Sequence, residues 1–334
     1  ASAWSSDVCS SDLVDGSSAT VSGRKAVVYA CSNGNGVYRP SDGGATFSLL
    51  PGGPATVANA AIGPDGVYYA VNRSTTLFRW ANAGHPVLAA GWNATAPSGG
   101  AAWHSVALDP FVAGRLVVAD DGGYINVGTS YGNAWAGRIY PNHPRTATDV
   151  PWPSFANEQD MSNAAMVFDP RVQNKLWFAQ GIGVWFNQGQ GGASTPWTSF
   201  SAGIEQLVGR DICAPPGSAN VITAGMDRSV FVVPRTNASY PSRYGTEATP
   251  SRAIIAAWAV DYAANNPSHL VAIVNRGLAG EPELSGYSLD GGASWTTFPT
   301  QPGPGGQAGD VVAPSIDHII AGVGGRSPFR PTGR

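Results

Sequence analysis

Carboxylates are the residue type here whose placement could support catalysis. A pair of them can divide acid–base work, one giving a proton to a departing group and the other activating a water. Thiol and metal chemistry find no comparable pattern. Cys9, Cys31 and Cys213 make no C-x-x-C pair, and His85, His104, His143, His269 and His318 make no H-x-x-x-H pair. No metal site and no cofactor is expected. The aspartates themselves divide into two groups by context. Asp42 and Asp290 lie in the runs Pro40-Ser-Asp-Gly-Gly-Ala-Thr-Phe47 and Ser288-Leu-Asp-Gly-Gly-Ala-Ser-Trp295. The second fits the Asp-box pattern S-x-D-x-G-x-[ST]-[WF] throughout, and the first departs from it only at Pro40. Asp-Gly and Gly-Gly supply the positive-φ residues of a tight turn. Asp42 and Asp290 are therefore read as structural turn residues that cap backbone N–H groups. Trp295 is read as the aromatic plug beneath its turn. The remaining aspartates sit at or near strands.

Those strands recur. An apolar run, a turn and a second apolar run appear as Val106-Ala-Leu-Asp-Pro110 with Arg115-Leu-Val-Val-Ala119. They return as Met166-Val-Phe-Asp-Pro170 with Lys175-Leu-Trp-Phe-Ala179. Looser copies begin at Asp211 and at Ala259. The aspartates Asp109, Asp169, Asp211 and Asp261 are 60, 42 and 50 residues apart. That spacing suits one four-stranded blade per repeat, with loop insertions. The chain holds 43 Gly and 26 Pro in 334 residues, so it is turn-rich. No segment sustains an i, i+3, i+4, i+7 apolar pattern. The expected fold is an all-β β-propeller of four-stranded antiparallel blades, incomplete, with about six blades or partial blades.

Charge narrows the partners. Only 12% of residues are charged and the net charge is -3, which gives no electrostatic footprint for nucleic acid or an anionic membrane. No stretch approaches the ~20 apolar residues that span a bilayer. The 11 Trp fit inter-blade packing or a sugar-binding surface. The termini read differently from the rest. Residues 1–13 have neither strand alternation nor the regions of a signal peptide. They resemble translated sequencing-adapter read-through and are set aside as non-native. Residues 326–334 are read as a non-native tail. The chain is thus expected to be a fragment of a longer protein.

The order of the blades resembles the family 74 glycoside hydrolases, the xyloglucanases and related endo-β-1,4-glucanases. Val28 to Pro51 looks like the third blade of the family's first propeller, and Pro64-Asp-Gly-Val-Tyr-Tyr69 with Leu77-Phe-Arg-Trp80 looks like the strand pair that follows. Ser201-Ala-Gly-Ile-Glu-Gln206 through Pro216-Gly217 looks like the passage into its second. The resemblance implies later blades of one propeller over 14–202 and opening blades of another over 203–325. Asp261-Tyr-Ala-Ala-Asn-Asn-Pro267 resembles the segment carrying one of the family's two catalytic aspartates, and Asp261 is the implied general acid. The partner base belongs to a T-D-x-G-G-x-Y-R segment. That segment belongs to the family's first blade, which is absent here if Val28 to Pro51 is the third. Cys31 to Arg39 imitates it only superficially, with Asn33 where Asp would be, so under either alignment the chain lacks the base and is expected to be inactive alone. Trp152 and Trp258 are the candidate sugar platforms, and Asp227 is a candidate substrate contact.

The function so implied is hydrolysis of β-1,4-glucan or xyloglucan by an inverting mechanism, in a secreted and monomeric parent enzyme. The alternative is a non-enzymatic Asp-box propeller, a binding module of the sortilin or assembly-factor kind. A sialidase is disfavoured because the arginines show no triad placement.

Overall fold

The computed structural model describes residues 13–32, 34–100, 102–139, 145–146, 163–180, 183–189, 196–204, 208–225, 229–236, 242–243, 256–275, 285–301 and 309–323. Among them the structure is almost wholly β, with a single 3-10 turn at Ser130–Gly132. The strands form antiparallel blades, each built in chain order from a first strand to a fourth. Blade one consists of Leu13–Val14, Val28–Ser32, Gly36–Arg39 and Ser48–Leu49. Leu13, placed by the sequence reading in the adapter-like segment, pairs with Tyr29. Blade two is Asn59–Ile62, Tyr68–Val71, Leu77–Ala81 and Gly91–Thr95. Blade three is Trp103–Leu108, Leu116–Asp120, Ile125–Thr129 and Ala134–Ile139. Blade four is Asn163–Phe168, Leu176–Gln180, Gly183–Asn187 and Trp197–Ser199, with Arg145–Thr146 added in parallel at its outer edge. Blade five is Gly209–Cys213, Asn220–Gly225, Ser229–Pro234 and Ser242–Arg243. Blade six is Ala256–Ala263, Asn266–Asn275, Gly286–Ser288 and Thr296–Thr297. A hairpin of Gly309–Ser315 and His318–Val323 follows. This is the β-propeller architecture expected from the repeats.

The described residues fall into two compact units. Those up to Thr146 and between Gln159 and Ser201 form the first, and those from Ala202 onward form the second.

Within each unit the core lies between blades. Second strands are covered on both faces and therefore read as continuous apolar runs rather than alternating ones. Tyr68–Val71 and Leu116–Asp120 are buried at every position. Tyr29, Val37 and Cys31 of blade one pack on Tyr68 and Ala70 of blade two, with the Tyr29 and Tyr68 rings stacked at 4.4 Å. Trp103, Val106 and Val118 of blade three pack on Tyr69, Val71 and Leu77 of blade two. In the second unit, Ile222, Val230 and Val232 of blade five meet Val260, Leu270 and Ala272 of blade six. The hairpin covers the other face of blade six through Val311, Ala313 and Ala321.

Polar contacts fix how far each blade slides along the next. The Val106 N–H donates to Asn59 Oδ1 at 2.9 Å, joining the first strands of blades two and three. The Met166 N–H donates to Ser105 Oγ at 3.3 Å, joining blades three and four. The Val260 N–H donates to Asp211 Oδ2 at 2.9 Å, joining blades five and six. The Ala313 N–H donates to Asp261 Oδ2 at 2.7 Å, joining blade six to the hairpin. Each is a side chain on one first strand capturing an amide of the next.

The repeat aspartates, evenly spread along the chain, do not share one role. Asp109 and Asp169 end first strands, where Oδ1 accepts two amides of the following turn, those of Phe111 and Val112 or of Arg171 and Val172. Asp211 lies near the start of its strand and Asp261 at mid-strand, and both reach outward to a neighbour.

If the inter-blade amide contact sets the alignment, Asp211→Ala strands the buried Val260 amide. Denaturant unfolding is expected to show a loss of about 1–3 kcal/mol, and Asp211→Asn, which keeps an acceptor, is expected to recover most of it.

Candidate functional site

The candidate residues lie on first strands, and a recurrent bulge decides where their side chains point. In blades three, four, five and six the register slips by one residue near the start of the first strand. The slips fall between Trp103 and Ser105, Asn163 and Ala165, Gly209 and Asp211, and Ala257 and Ala259. The extra residues are His104, Ala164, Arg210 and Trp258. A bulge releases one side chain from the in-and-out alternation of the strand and re-aims it. Sequence reasoning singled out Trp258 but neither Arg210 nor His104. The available signal was position: each stands directly before the residue that opens the regular part of its strand.

Trp258 is partly buried and packs on the cluster formed by Ala259, Val271, Val311 and Ala313. The Arg210 guanidinium lies over its ring, 4.9 Å from the centroid. That face of the indole is taken by a cation–π contact. The indole N–H has no hydrogen-bond partner among the described residues.

Asp261 follows on the same strand, paired across to Val271. It is partly buried. Oδ2 holds the Ala313 amide, and Oδ1 has no partner among the described residues. A carboxylate anchored by one oxygen keeps a fixed orientation for the other. Chemically, Oδ1 can give or take up one proton, or accept a hydrogen bond from one hydroxyl. Cys213 lies in the neighbouring core, and burial first, then the charges of Asp261 and Asp211, push its thiol up to about 12, which removes it from nucleophilic chemistry. Trp152, Asp227 and Asn33 lie outside the described residues.

The turn residues behave as caps. Asp42 Oδ1 accepts the Ala45 and Thr46 amides at 3.0 and 3.1 Å, and Oδ2 accepts the Thr46 hydroxyl. Asp290 Oδ1 accepts the Ser294 amide and the Ser288 hydroxyl, and Oδ2 accepts the Ser294 hydroxyl. Ser288 in turn accepts the Gly292 amide. Gly291 and Gly292 have φ of +74° and +96°, and a Cβ on Gly292 would strike Val232 at 2.7 Å. Glycine is required there on both counts. Trp295 donates its indole N–H to the Gly292 carbonyl and packs on the core between blades five and six.

No protein-family model matches the chain. In sequence it is 23% identical to a xyloglucanase of a Paenibacillus species, over 84% of this chain and 31% of that protein. In structure it is similar to the GH74 (family 74 glycoside hydrolase) enzyme of Niastella koreensis, with a TM-score of 0.69 and 20% identity. That match covers 96% of this chain and 49% of the other. It is also similar to the GH74 xyloglucanase of Xanthomonas campestris, with a TM-score of 0.70 and 21% identity, over 97% and 50% of the two chains. The chain thus spans about a third of the curated relative and about half of each solved one. The fold is a β-propeller of the kind seen in family 74 glycoside hydrolases. The resemblance to that family, read first from the blade motifs, holds in sequence and in structure.

The caps carry a pH signature. Hydrogen bonds from Ser294 and Ser288 hold the Asp290 carboxyl down to about 2, and those from Thr46 hold Asp42 below the usual range. A depressed carboxylate adds stability above its unfolded pKa, and this is lost as pH falls through the folded value. For Asp290 the window runs from about 4 down to about 2. Acid titration of the unfolding midpoint is expected to be shallower across that window in Asp290→Asn than in the unaltered chain.

Proposed function

We propose that the chain is part of a secreted glycoside hydrolase that cleaves β-1,4-glucan of the xyloglucan type. The observation that carries this reading is similarity to a xyloglucanase along 84% of the chain, together with the family fold. Asp261 acts as the general acid in this reading. Ala313 holds Oδ2, and Oδ1 is left to deliver a proton to the departing glycosidic oxygen. Trp152, Trp258 and Asp227 contact the substrate.

Inversion needs a second carboxylate ~6.5–9.5 Å away, with a water between. The resemblance puts that base in the family's first blade, which this chain does not carry if Val28 to Pro51 is the third. Asn33, in the stretch that imitates the base segment, has an amide that cannot take up a proton. The chain alone therefore turns over substrate negligibly. Loss of one proton-transfer partner costs ~10²–10⁴-fold. A second reading, a binding module without activity, draws on two observations. Asp261 already has a structural partner, and Arg210 occupies one face of Trp258.

Reducing-end release separates the two readings. The chain by itself is expected to release no sugar ends from xyloglucan or mixed-linkage glucan above a heat-killed control. A version extended to the length of the relatives is expected to hydrolyse xyloglucan, and Asp261→Asn in it to lower turnover ~10²-fold or more. Asn at 261 still accepts the Ala313 amide, so its thermal midpoint is expected to stay close to that of the unaltered protein. Equal turnover with Asn at 261 would remove Asp261 from the acid role, and an extended version without turnover would hand the lead to the binding module.

A further inference from the structure

Three side chains of the first unit meet at the turn between the second and third strands of blade three, apart from every residue considered above as a site. Asp121 opens that turn and is about half exposed, at 55%. Arg73, from the corresponding turn of blade two, pairs with Asp121 through Nη1 and is 60% exposed. His104, the bulge residue of blade three, brings Nδ1 to 3.4 Å from Asp121 Oδ1. The imidazole is only 6% exposed, yet neither ring nitrogen makes a hydrogen bond among the described residues. Its approach to Asp121 is an electrostatic contact without hydrogen-bond alignment.

The backbone holds the three together. The Arg73 N–H donates to the Trp103 carbonyl at 2.9 Å, and the Trp103 N–H donates to the Ser74 carbonyl at 3.0 Å. The turn of blade two is thereby zipped to the start of blade three. Arg73 is held at φ +61°, a region a side chain of its kind rarely adopts. An exposed ion pair adds little to stability. Stability therefore does not account for a charged pair set beside a buried imidazole that makes no hydrogen bond among the described residues, whereas a ligand would use both charged groups.

The chemistry of the cluster selects that ligand. A free cation meets Arg73 and a free anion meets Asp121. A neutral polyol meets an acceptor and a donor side by side, matching hydroxyls that both give and take hydrogen bonds. A sugar presents such hydroxyls side by side along its edge, and this turn offers a partner to each kind of hydrogen bond they make.

We propose that Asp121 and Arg73 form a sugar-hydroxyl-binding subsite on blade three, with His104 as the positioning residue that holds the carboxylate. The choice of a β-glucan chain as ligand rests on the glycoside hydrolase reading above. Calorimetric titration of the chain with cellotetraose and a xyloglucan oligosaccharide tests it. Asp121→Ala and Arg73→Ala are each expected to weaken binding ~10-fold or more, with unchanged thermal midpoints because both side chains are exposed. His104→Phe, which keeps bulk but no donor, is expected to weaken binding, and His104→Gln to restore it. If the chain binds and both Ala variants bind as tightly, the subsite is overturned while the glycoside hydrolase reading stands. If His104→Phe binds as the unaltered chain does, the positioning role is overturned. If neither oligosaccharide binds the unaltered chain, the subsite is overturned, and the glycoside hydrolase reading is decided separately by reducing-end release from the extended version.

Discussion

A blade of this kind cannot stand alone, because its middle strands are apolar on both faces. Everything else in the structure follows from that constraint. Tyr68–Val71 and Leu116–Asp120 are buried throughout, so each sheet must be sandwiched by its neighbours. Apolar contact is non-directional, however, and two greasy sheets can slide over one another at little cost. The captured amides remove that freedom. Asn59, Ser105, Asp211 and Asp261 each hold one N–H of the next first strand, and a slip of one residue would strand a buried donor. Burial supplies the attraction between blades, and four side-chain acceptors supply the alignment.

The same contact governs how Asp261 is to be understood. Relative to Ser105 and Asp211 it lies two residues further along its strand, on the same side because side chains alternate with period two. Blade six thus keeps the link but moves its acceptor two residues along the strand, placing a carboxylate where the counterparts in blades three to five are Ala107, Val167 and Cys213. Position, not partner, distinguishes Asp261 from its structural counterparts.

Local chemistry was legible in the sequence, and register was not. The Asp-box tips could be read because every interaction in them spans only a few residues: Asp290 reaches Ser294, Ser288 reaches Gly292, and Gly292 must be glycine. The number of blades followed from repeated apolar runs. The alignment of the runs did not follow. Asp109, Asp169, Asp211 and Asp261 fall at similar intervals, and the intervals do not tell their roles apart. Two of them cap the turns that end their strands, whereas the other two reach across to another blade, up to 52 residues away in sequence. A bulge adds one residue whose presence depends on the strand paired beside it, and no local pattern announces that. Arg73 and Asp121 escaped notice for a related reason. They stand 48 residues apart on adjacent turns and meet only once the blades are stacked.

The bulges also explain where variation can enter such a fold without breaking it. Core positions on first strands hold a narrow set of apolar residues, as at Val106, Met166 and Val260. The bulge positions hold His104, Ala164, Arg210 and Trp258, an imidazole, a methyl group, a guanidinium and an indole at one geometric place. A side chain there is freed from the strict inward or outward choice that packing imposes on its neighbours. Arg210 can lie over Trp258, and His104 can approach a carboxylate on the adjoining turn. In a fold made of near-identical sheets, chemistry has to be written where the sheet pattern is interrupted. The start of the first strand is the interruption that every blade from three to six repeats.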